Sequence, residues 1–380
     1  MVFILSSENV VQYLKEKSLC GMNWQLASLE LNEYRNFNLV VSFTNGEHYL
    51  VKQGRFDGYD RSLGCLQYEW LLQHLLNSFP QLAKVRASIA PIIDFDAENS
   101  ILVIKYLPEY ISLDKYYARF DNYPTKIAAV LGTNLAHIHR LTYQKDEYLS
   151  FLEQQYGDRD FRAKPDFRQG LAVVSPHIFA CICSSGIEFF KLYQRFPRLH
   201  QAVVQLYDSY QATCLTHNDA RFGNYLIKNT NSLDRPQIKF IDWEFIDWGD
   251  PAYDLGMLIS KYLELWLDSL LVTRDRDLNL SFSSAACPLT KIQPSLVAIL
   301  ENYLATFGQI TSARSDFLHR VVQFAGLSLI KRLQHQVECH QPFGNREVCT
   351  LQVAKNLLCY PERAINSIFG FNELQIPTTV

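Results

Sequence analysis

The strongest constraint on how this chain can fold is a dense run of acidic and polar residues at 215–256. Asp219 and Asn224 lie just ahead of two short apolar segments that flank a polar turn at 229–237, and Asp242 follows the second segment. Apolar segments around such a turn predict a β-hairpin. Because a hairpin brings its entry and its exit together, we expect the three side chains to converge at one end.

These side chains supply two carboxylates and one amide oxygen, hard donors of the kind that Mg²⁺ takes in proteins. Because Mg²⁺ is rarely enclosed by protein groups alone, such a site needs phosphate oxygens to complete it. The segment reads His217-x-Asp219-x-x-x-x-Asn224, then a strand, then Asp242. This order matches the catalytic loop and the metal-binding aspartate of protein-kinase-like phosphotransferases.

The alternative interpretation is that these residues are loop caps and solvated carboxylates. Two further patterns argue against it, Ile-Asp-Trp-Glu at 241–244 and Gly-Asp-Pro-x-x-Asp-Leu-Gly at 249–256. With them, the segment resembles the aminoglycoside phosphotransferase and choline kinase family of small-molecule kinases. The resemblance is strongest over 215–256 and extends more weakly from about residue 25 to the end of the chain.

The resemblance implies an α+β, protein-kinase-like fold with two lobes, a small β-rich N-lobe and a larger, mostly helical C-lobe. It also implies transfer of the γ-phosphoryl group of ATP, with Mg²⁺, to a small-molecule hydroxyl acceptor. Strand-like patterns dominate before residue 107 and helical patterns after it. We therefore expect a nucleotide-binding lobe at 1–107 and a catalytic and substrate-binding lobe at 108–380.

The resemblance also implies roles for single residues. Asp219 matches the catalytic base, which accepts the proton of the attacking hydroxyl. Asn224 matches the amide that holds one Mg²⁺, and Asp242 matches the carboxylate that bridges the metal to the phosphates. A Trp-Glu pair follows Asp242 in place of the Phe-Gly of protein kinases. We expect His217 to orient the catalytic loop rather than to react.

Two more aspartates of the segment have structural interpretations. Asp254 resembles the buried aspartate that holds the backbone of the catalytic loop. Asp250 precedes Pro251, and an aspartate followed by proline is a favourable start for a helix, so we expect Asp250 to cap one there.

The nucleotide side of such a site needs a lysine on the third strand and a glutamate on the following helix. Lys52 follows a predicted Asn-Gly hairpin, and Glu69 lies in a helical pattern at 63–76. Lys52 would reach the phosphates and Glu69 would orient it. The alternative for Lys52 is an exposed lysine on a strand, and the alternative for Glu69 is a surface charge on a helix. Glu47 and Asp60 are also near enough in sequence to pair with Lys52 in place of Glu69.

The remaining nucleotide contacts are less constrained by sequence. The phosphate-covering loop is expected at 30–38, where this chain has three asparagines and no glycine, and asparagine tolerates left-handed backbone better than most residues. The strand at 101–107 should lead to the hinge. Adenine would bond there to the Lys105 carbonyl and the Leu107 N–H.

Composition excludes some classes. A net charge of −3 and a pI near 6.4 argue against binding to a nucleic-acid backbone. No apolar run is long enough to cross a membrane. The nine cysteines include no Cys-x-x-Cys pair, which predicts neither a zinc nor a redox framework. A reducing cytoplasm is the simplest setting, and the oligomeric state is left open.

The sequence has two alternative functional interpretations besides a small-molecule kinase. A nucleotide-binding pseudokinase or scaffold is disfavoured because all the expected site residues are present. A protein kinase is disfavoured because no Ala-Pro-Glu segment follows Asp242. No residue selects one acceptor: Arg221 could face an anionic substrate, whereas Asp247 and Glu264 could attract a cationic one. The Asp-Arg-Asp sequence at 158–160 is interpreted as a solvated turn.

Overall fold

A computed structural model describes residues 3–33, 37–54, 65–155, 159–174, 179, 182–230, 234–272 and 285–370. The chain forms a small lobe built on an antiparallel sheet and a larger, mostly helical lobe. This arrangement confirms the predicted α+β, protein-kinase-like fold class.

The small lobe is built on five antiparallel strands in the order β1-β2-β3-β5-β4. The Asn-Gly hairpin joins β2 to β3 as predicted, and Gly46 at its tip has a φ of 85°, which glycine adopts without strain. The strands are β1 (Leu26–Glu33), β2 (Phe37–Phe43), β3 (His48–Gln53), β4 (Ile92–Asp96) and β5 (Ile101–Lys105).

The side chains of β3 alternate between the two faces of the small-lobe sheet. Val51 packs into the apolar cluster that also holds residues of helix α1 (Val10–Glu16). Leu50 belongs to the other face, with Leu66 of helix α2 (Cys65–Ser78). Because side chains alternate along a strand, Lys52 shares the face of Leu50 and lies beneath α2. A short helix, α3 (Ala83–Ala87), follows α2.

The large lobe packs its helices around α5, α9, α10 and α12. The helices are α4 (Leu113–Phe120), α5 (Thr125–Thr142), α6 (Asp146–Gln155), α7 (Ser184–Gln194), α8 (Pro197–Asp208), α9 (Pro251–Asp268), α10 (Leu289–Phe307), α11 (Gln309–Ala313), α12 (Phe317–Glu338), α13 (Asn345–Cys359) and α14 (Pro361–Phe369). Gly256 lets α9 cross α12 closely, since a Cβ there would lie 2.7 Å from the Val321 carbonyl oxygen.

Short strands frame the catalytic segment. The predicted hairpin is present as β8 (Tyr225–Lys228) and β9 (Ile238–Phe240), which pair antiparallel. The three other short strands lay outside the sequence prediction because three residues show no measurable alternation. They are β6 (Tyr110–Ser112) beside β8, and β7 (Cys214–Thr216) paired with β10 (Asp247–Gly249). Strand β4, which has five residues and a register shift between Ile92 and Asp94, was not predicted either. The small-lobe sheet ends with Lys105 and the next strand begins at Tyr110, while the division at 107 stays a prediction.

A buried ion cluster fixes the start of α9. Asp250 caps the helix as predicted, because its side chain accepts from the Ala252 N–H at 3.0 Å. The Asp250 side chain is 0% exposed and also meets Arg314 at 3.1 Å and Arg320 at 2.5 Å. Neither arginine contact was predicted from the sequence.

We expect Asp250→Asn to lower the free energy of unfolding by about 3 to 5 kcal/mol, the usual effect of leaving a buried charge uncompensated. Asparagine keeps the helix cap, so the loss isolates the ion pairs. Urea unfolding measures it. Asp316→Asn is the control, since that exposed carboxylate lies 3.9 Å from Arg314 and should contribute less than about 1 kcal/mol. Equal losses in both variants would contradict the assignment.

Within the ranges given above, none of the helices is both long enough and apolar enough to span a bilayer.

Candidate active site

Lys52 joins the two lobes at the base of the cleft. Its Nζ lies 2.9 Å from Glu69 Oε1 and 2.8 Å from Asp242 Oδ1. Lys52 is 7% exposed and Glu69 is 2% exposed, so neither is the surface charge of the alternative interpretation. Of the competitors for Lys52, Glu47 pairs instead with Lys105, and Asp60 lies outside the described residues. The structure thus brings Lys52, Glu69 and Asp242 into one cluster.

Burial and charge act against each other in this cluster. Burial opposes the charge of Lys52, but Asp242 and Glu69 raise the pKa of its ammonium further than burial lowers it. Burial raises the pKa of Glu69 and is only partly offset by Lys52. Burial also opposes ionisation of Asp242, yet Lys52 and Arg221 lower its pKa. The contact between them therefore favours the cationic form of Lys52 and the anionic form of Asp242.

Asp242 occupies an unusual backbone position at the exit of the hairpin. Its φ is 66°, in the left-handed region that few residues other than glycine and asparagine adopt. The neighbouring Ile241 N–H donates to the Asn224 carbonyl at 3.0 Å, which ties the exit of the hairpin to its entry. Backbone strain of this kind concentrates at functional sites. The hairpin does bring Asn224 and Asp242 together.

Asp219 faces Asn224 and Arg221 on the catalytic loop. Its Oδ2 accepts from Asn224 Nδ2 at 2.9 Å, and from Arg221 Nε at 2.9 Å and Nη2 at 2.6 Å. The Arg221 Nη2 also lies 3.7 Å from Asp242 Oδ2. Within the described part of the chain, no group donates to Asp219 Oδ1. That oxygen can therefore receive a hydroxyl from an acceptor.

The catalytic loop is anchored from behind by Asp254. Its Oδ2 accepts the His217 N–H at 2.6 Å and its Oδ1 accepts the Asn218 N–H at 2.8 Å. His217 Nε2 lies 2.9 Å from the Ile241 carbonyl oxygen, a contact that links the loop to the residue before Asp242. Both contacts agree with the orienting roles expected of Asp254 and His217.

Sequence reasoning missed a support for Asp254. His139 of α5 is 0% exposed, and its Nε2 lies 3.3 Å from Asp254 Oδ2 while its Nδ1 lies 2.8 Å from the Tyr303 hydroxyl. Burial opposes the ionisation of Asp254, but His139 lowers the pKa of that carboxyl. A histidine in an apolar helix was the only available signal, and alone it predicts core packing.

The hinge and the phosphate-covering loop are described in part. Lys105 ends β5, and its N–H donates to the Pro91 carbonyl at 2.9 Å. Its side chain is bound to Glu47, so the contact with adenine stays a prediction for its backbone carbonyl. Leu107 lies two residues after Lys105, and the Leu107 carbonyl accepts the Tyr110 N–H at 3.0 Å. Of the loop expected at 30–38, the tip lies outside the described residues.

The donor set fits a magnesium ion that is completed by phosphate. Asn224 directs its Nδ2 to the Asp219 backbone and side chain, so its Oδ1 points elsewhere and would be the ligand atom. Asp242 binds Lys52 through Oδ1, and its Oδ2, which lies 3.7 Å from Arg221 Nη2, would be the second ligand atom. Within the described ranges, no group of three or more His, Cys, Asp or Glu side chains could hold a metal unaided. Two protein ligands with phosphate and water are the usual arrangement for Mg²⁺.

The acids expected to attract a cationic acceptor already face cations. Glu264 lies 2.7 Å from Lys261. Asp247 lies 3.5 Å from Arg159. The interpretation of 158–160 as a solvated turn is wrong for Arg159, because the Arg159 side chain is only 25% exposed. Asp158 of that turn lies outside the described residues.

Asp247 should make stability depend on pH. Burial raises the pKa of its carboxyl to about 7, against the opposing effect of Arg159. The folded protein then keeps this proton between about pH 4 and pH 7, where the unfolded chain has lost it. The stability associated with the proton is present below about pH 4 and is lost as pH rises to about 7.

We therefore expect Asp247→Asn to reduce the fall in unfolding free energy between pH 5 and pH 8. Urea unfolding at both pH values measures it. Asp146→Asn, which removes a carboxylate that is 82% exposed, should leave the fall unchanged. The same pH dependence in wild type and Asp247→Asn would refute the assignment.

Comparison with known proteins places the chain in a family. A profile of the Phosphotransferase enzyme family matches residues 38–282. Since this is more than half of the chain, the protein belongs to that family. It is a phosphotransferase with a kinase-like fold. A comparison with curated protein sequences gave no match.

Two solved structures with TM-scores of 0.50 share the fold at low sequence identity. Amicoumacin kinase hAmiN, in complex with AMP-PNP, Ca²⁺ and Ami, is 13% identical and aligns over 93% of this chain and 96% of its own, with a TM-score of 0.50. A putative fructosamine-3-kinase from Thermobifida fusca is 12% identical over 93% and 99%, with a TM-score of 0.50. Choline kinase LicA from Streptococcus pneumoniae is 16% identical over 93% and 99%, with a TM-score of 0.47.

Proposed function

We propose that the protein transfers the γ-phosphoryl group of ATP to a hydroxyl of a small molecule. The observation that carries this is the meeting of Lys52, Glu69 and Asp242 at one end of a cleft whose other side holds Asp219 and Asn224. Family membership supports phosphoryl transfer. The AMP-PNP and Ca²⁺ of the amicoumacin kinase complex support a nucleotide with a divalent cation.

The proposed mechanism assigns one task to each side chain. Lys52, oriented by Glu69, contacts the α- and β-phosphates. Asp242 and Asn224 would hold Mg²⁺, which neutralises charge on the triphosphate. Asp219 aligns the acceptor hydroxyl with the γ-phosphorus and takes its proton as the new P–O bond forms and the bond to ADP breaks. In a loose transition state, orientation contributes more than basicity.

The lobes would divide the work. Residues 1–107 would bind the nucleotide, with adenine on the Lys105 carbonyl and the Leu107 N–H. Residues 108–380 would supply Asp219 and the acceptor site. The acceptor would enter beside Asp219 Oδ1, where Arg221 is the nearest exposed cation. A cytoplasmic setting, where ATP is abundant, suits this activity.

A transfer screen tests the proposal. Radiolabelled γ-phosphate from ATP is offered to a panel of amino alcohols, amino sugars, neutral sugars and one generic protein. Label on a small molecule, with none on the protein, is the expected result. Nucleotide binding without transfer to any of them would instead indicate the pseudokinase, and label on the protein alone would indicate a protein kinase. Release of phosphate to water does not count, since kinase folds hydrolyse ATP slowly.

A further inference from the structure

Arg159 packs its guanidinium against the helix that carries Glu69. The guanidinium carbon lies 4.0 Å from the centre of the Tyr68 ring, and Tyr68 precedes Glu69 in α2. The same carbon lies 4.9 Å from the centre of the Phe161 ring. The two rings meet edge to face at 6.2 Å. A cation between two aromatic rings, largely removed from water, makes a favourable contact with both.

The same guanidinium is bonded to the segment that continues from Asp242. Its Nη2 donates to the Ile246 carbonyl at 3.0 Å and lies 3.5 Å from Asp247 Oδ2. The Phe161 carbonyl accepts the Trp248 N–H at 2.9 Å, which holds the Arg159 loop against the same strand. Arg159 thereby links α2 to strand β10.

Strand β10 in turn lies beside the strand that leads into the catalytic loop. Asp247 is paired with Thr216 in the β10–β7 ladder, and His217 follows Thr216 directly. The Arg159 side chain therefore contacts both the helix of Glu69 and strand β10. Strand β10 follows Asp242 in the chain and pairs with β7, which leads into the Asp219 loop. An arginine can make these contacts together because its planar guanidinium stacks on an aromatic ring and donates hydrogen bonds from its edge. The ammonium of a lysine cannot stack in this way.

We infer that Arg159 is a positioning residue, which fixes helix α2 against the segment after Asp242 so that Glu69 stays in contact with Lys52. The inference rests on the proposed function, since it assigns Lys52 to the nucleotide phosphates. Without Arg159, helix α2 keeps its apolar packing, the contact of Glu69 with Lys52 and the hydrogen bond from the Ile92 N–H to Gln73, but it loses the side chain that joins it to the segment after Asp242. Nucleotide affinity then falls because Lys52 is less well oriented.

The first test compares Arg159→Gln with Arg162→Gln. Arg162 stands in the same loop but pairs with the exposed Asp146, and its own side chain is 51% exposed. Calorimetry with Mg·AMP-PNP should give a Kd raised about tenfold for Arg159→Gln and within about twofold of wild type for Arg162→Gln. Hydrogen exchange of the nucleotide-free proteins should be faster in α2 for Arg159→Gln alone.

A second set of variants tests the contact itself. Tyr68→Leu removes the ring and should reproduce the effect of Arg159→Gln, whereas Tyr68→Phe keeps the ring and should bind nucleotide like wild type. The double variant Tyr68→Leu/Arg159→Gln should be no worse than the poorer single variant, because both changes break one contact. Fully additive effects would overturn the inference.

The two readouts separate this inference from the proposed function. If wild type binds no Mg·AMP-PNP, the proposed function fails, and hydrogen exchange in α2 still decides the role of Arg159. Unchanged exchange in α2 of Arg159→Gln would overturn the inference whatever the nucleotide does. So would an increase of equal size in α2, α9 and α12, since that reports a general loss of stability.

Discussion

Asp219→Asn should lower kcat by about a thousandfold while nucleotide affinity stays within about twofold of wild type. Asparagine keeps the size of the side chain and can still meet Asn224 and Arg221 in part, but it cannot accept the acceptor proton. Asp219 contacts neither Lys52 nor Glu69, so Lys52 keeps both of its carboxylate partners in this variant. A single-turnover assay with labelled ATP measures the chemical step, and calorimetry with Mg·AMP-PNP measures the binding.

The matched control is Asp114→Asn. Asp114 is an exposed acid of α4 whose Oδ2 would lie 3.9 Å from a Cβ at Gly223, so it stands beside the same loop. It makes no contact with Asp219 and should leave kcat within about twofold of wild type. Equal rates for wild type and Asp219→Asn in the single-turnover assay would remove Asp219 from the chemistry.

Asp242→Ala should raise the Kd for Mg·AMP-PNP about a hundredfold, the loss expected when one charge-assisted contact of about 3 kcal/mol is removed. The change deletes a proposed metal ligand and leaves Lys52 with Glu69 as its remaining carboxylate partner. Titration with Mn²⁺, followed by electron paramagnetic resonance, gives a second readout because it reports the metal without the reaction.

Asp242→Asn separates charge from backbone shape. Asparagine tolerates the left-handed backbone of this position at least as well as aspartate does, so this variant keeps the turn and loses only the charge. It should bind Mn²⁺ nearly as weakly as Asp242→Ala. Normal nucleotide binding by Asp242→Asn would show that the carboxylate is not a ligand, and the proposed metal site would be wrong.

The parts of the site that sequence predicts are those set by local pattern. Alternation along β3 and the Asn-Gly turn place Lys52, and the hairpin brings Asn224 to Asp242. The supports behind the site could not be predicted in this way. His139 meets Asp254 across 115 residues, and Arg320 meets Asp250 across 70.

These supports have a common physical cause. Such contacts depend on how α5, α9 and α12 cross in the folded lobe, and no spacing in the sequence encodes a crossing. The same holds for Arg159, whose charge in a short polar segment is typical of a solvated turn. One of the two rings that shield it from water, that of Tyr68, belongs to the other lobe.

The ion pair between Lys52 and Asp242 has a consequence for motion. It joins a strand of the small lobe to a loop of the large one, and Phe240 adds backbone hydrogen bonds to Ser88 and Ala90 across the same gap. These contacts hold the two lobes together on the inner side of the site. The phosphates of an entering triphosphate would take the place of carboxylate as partners of Lys52. Binding would therefore not have to bring two separated lobes together.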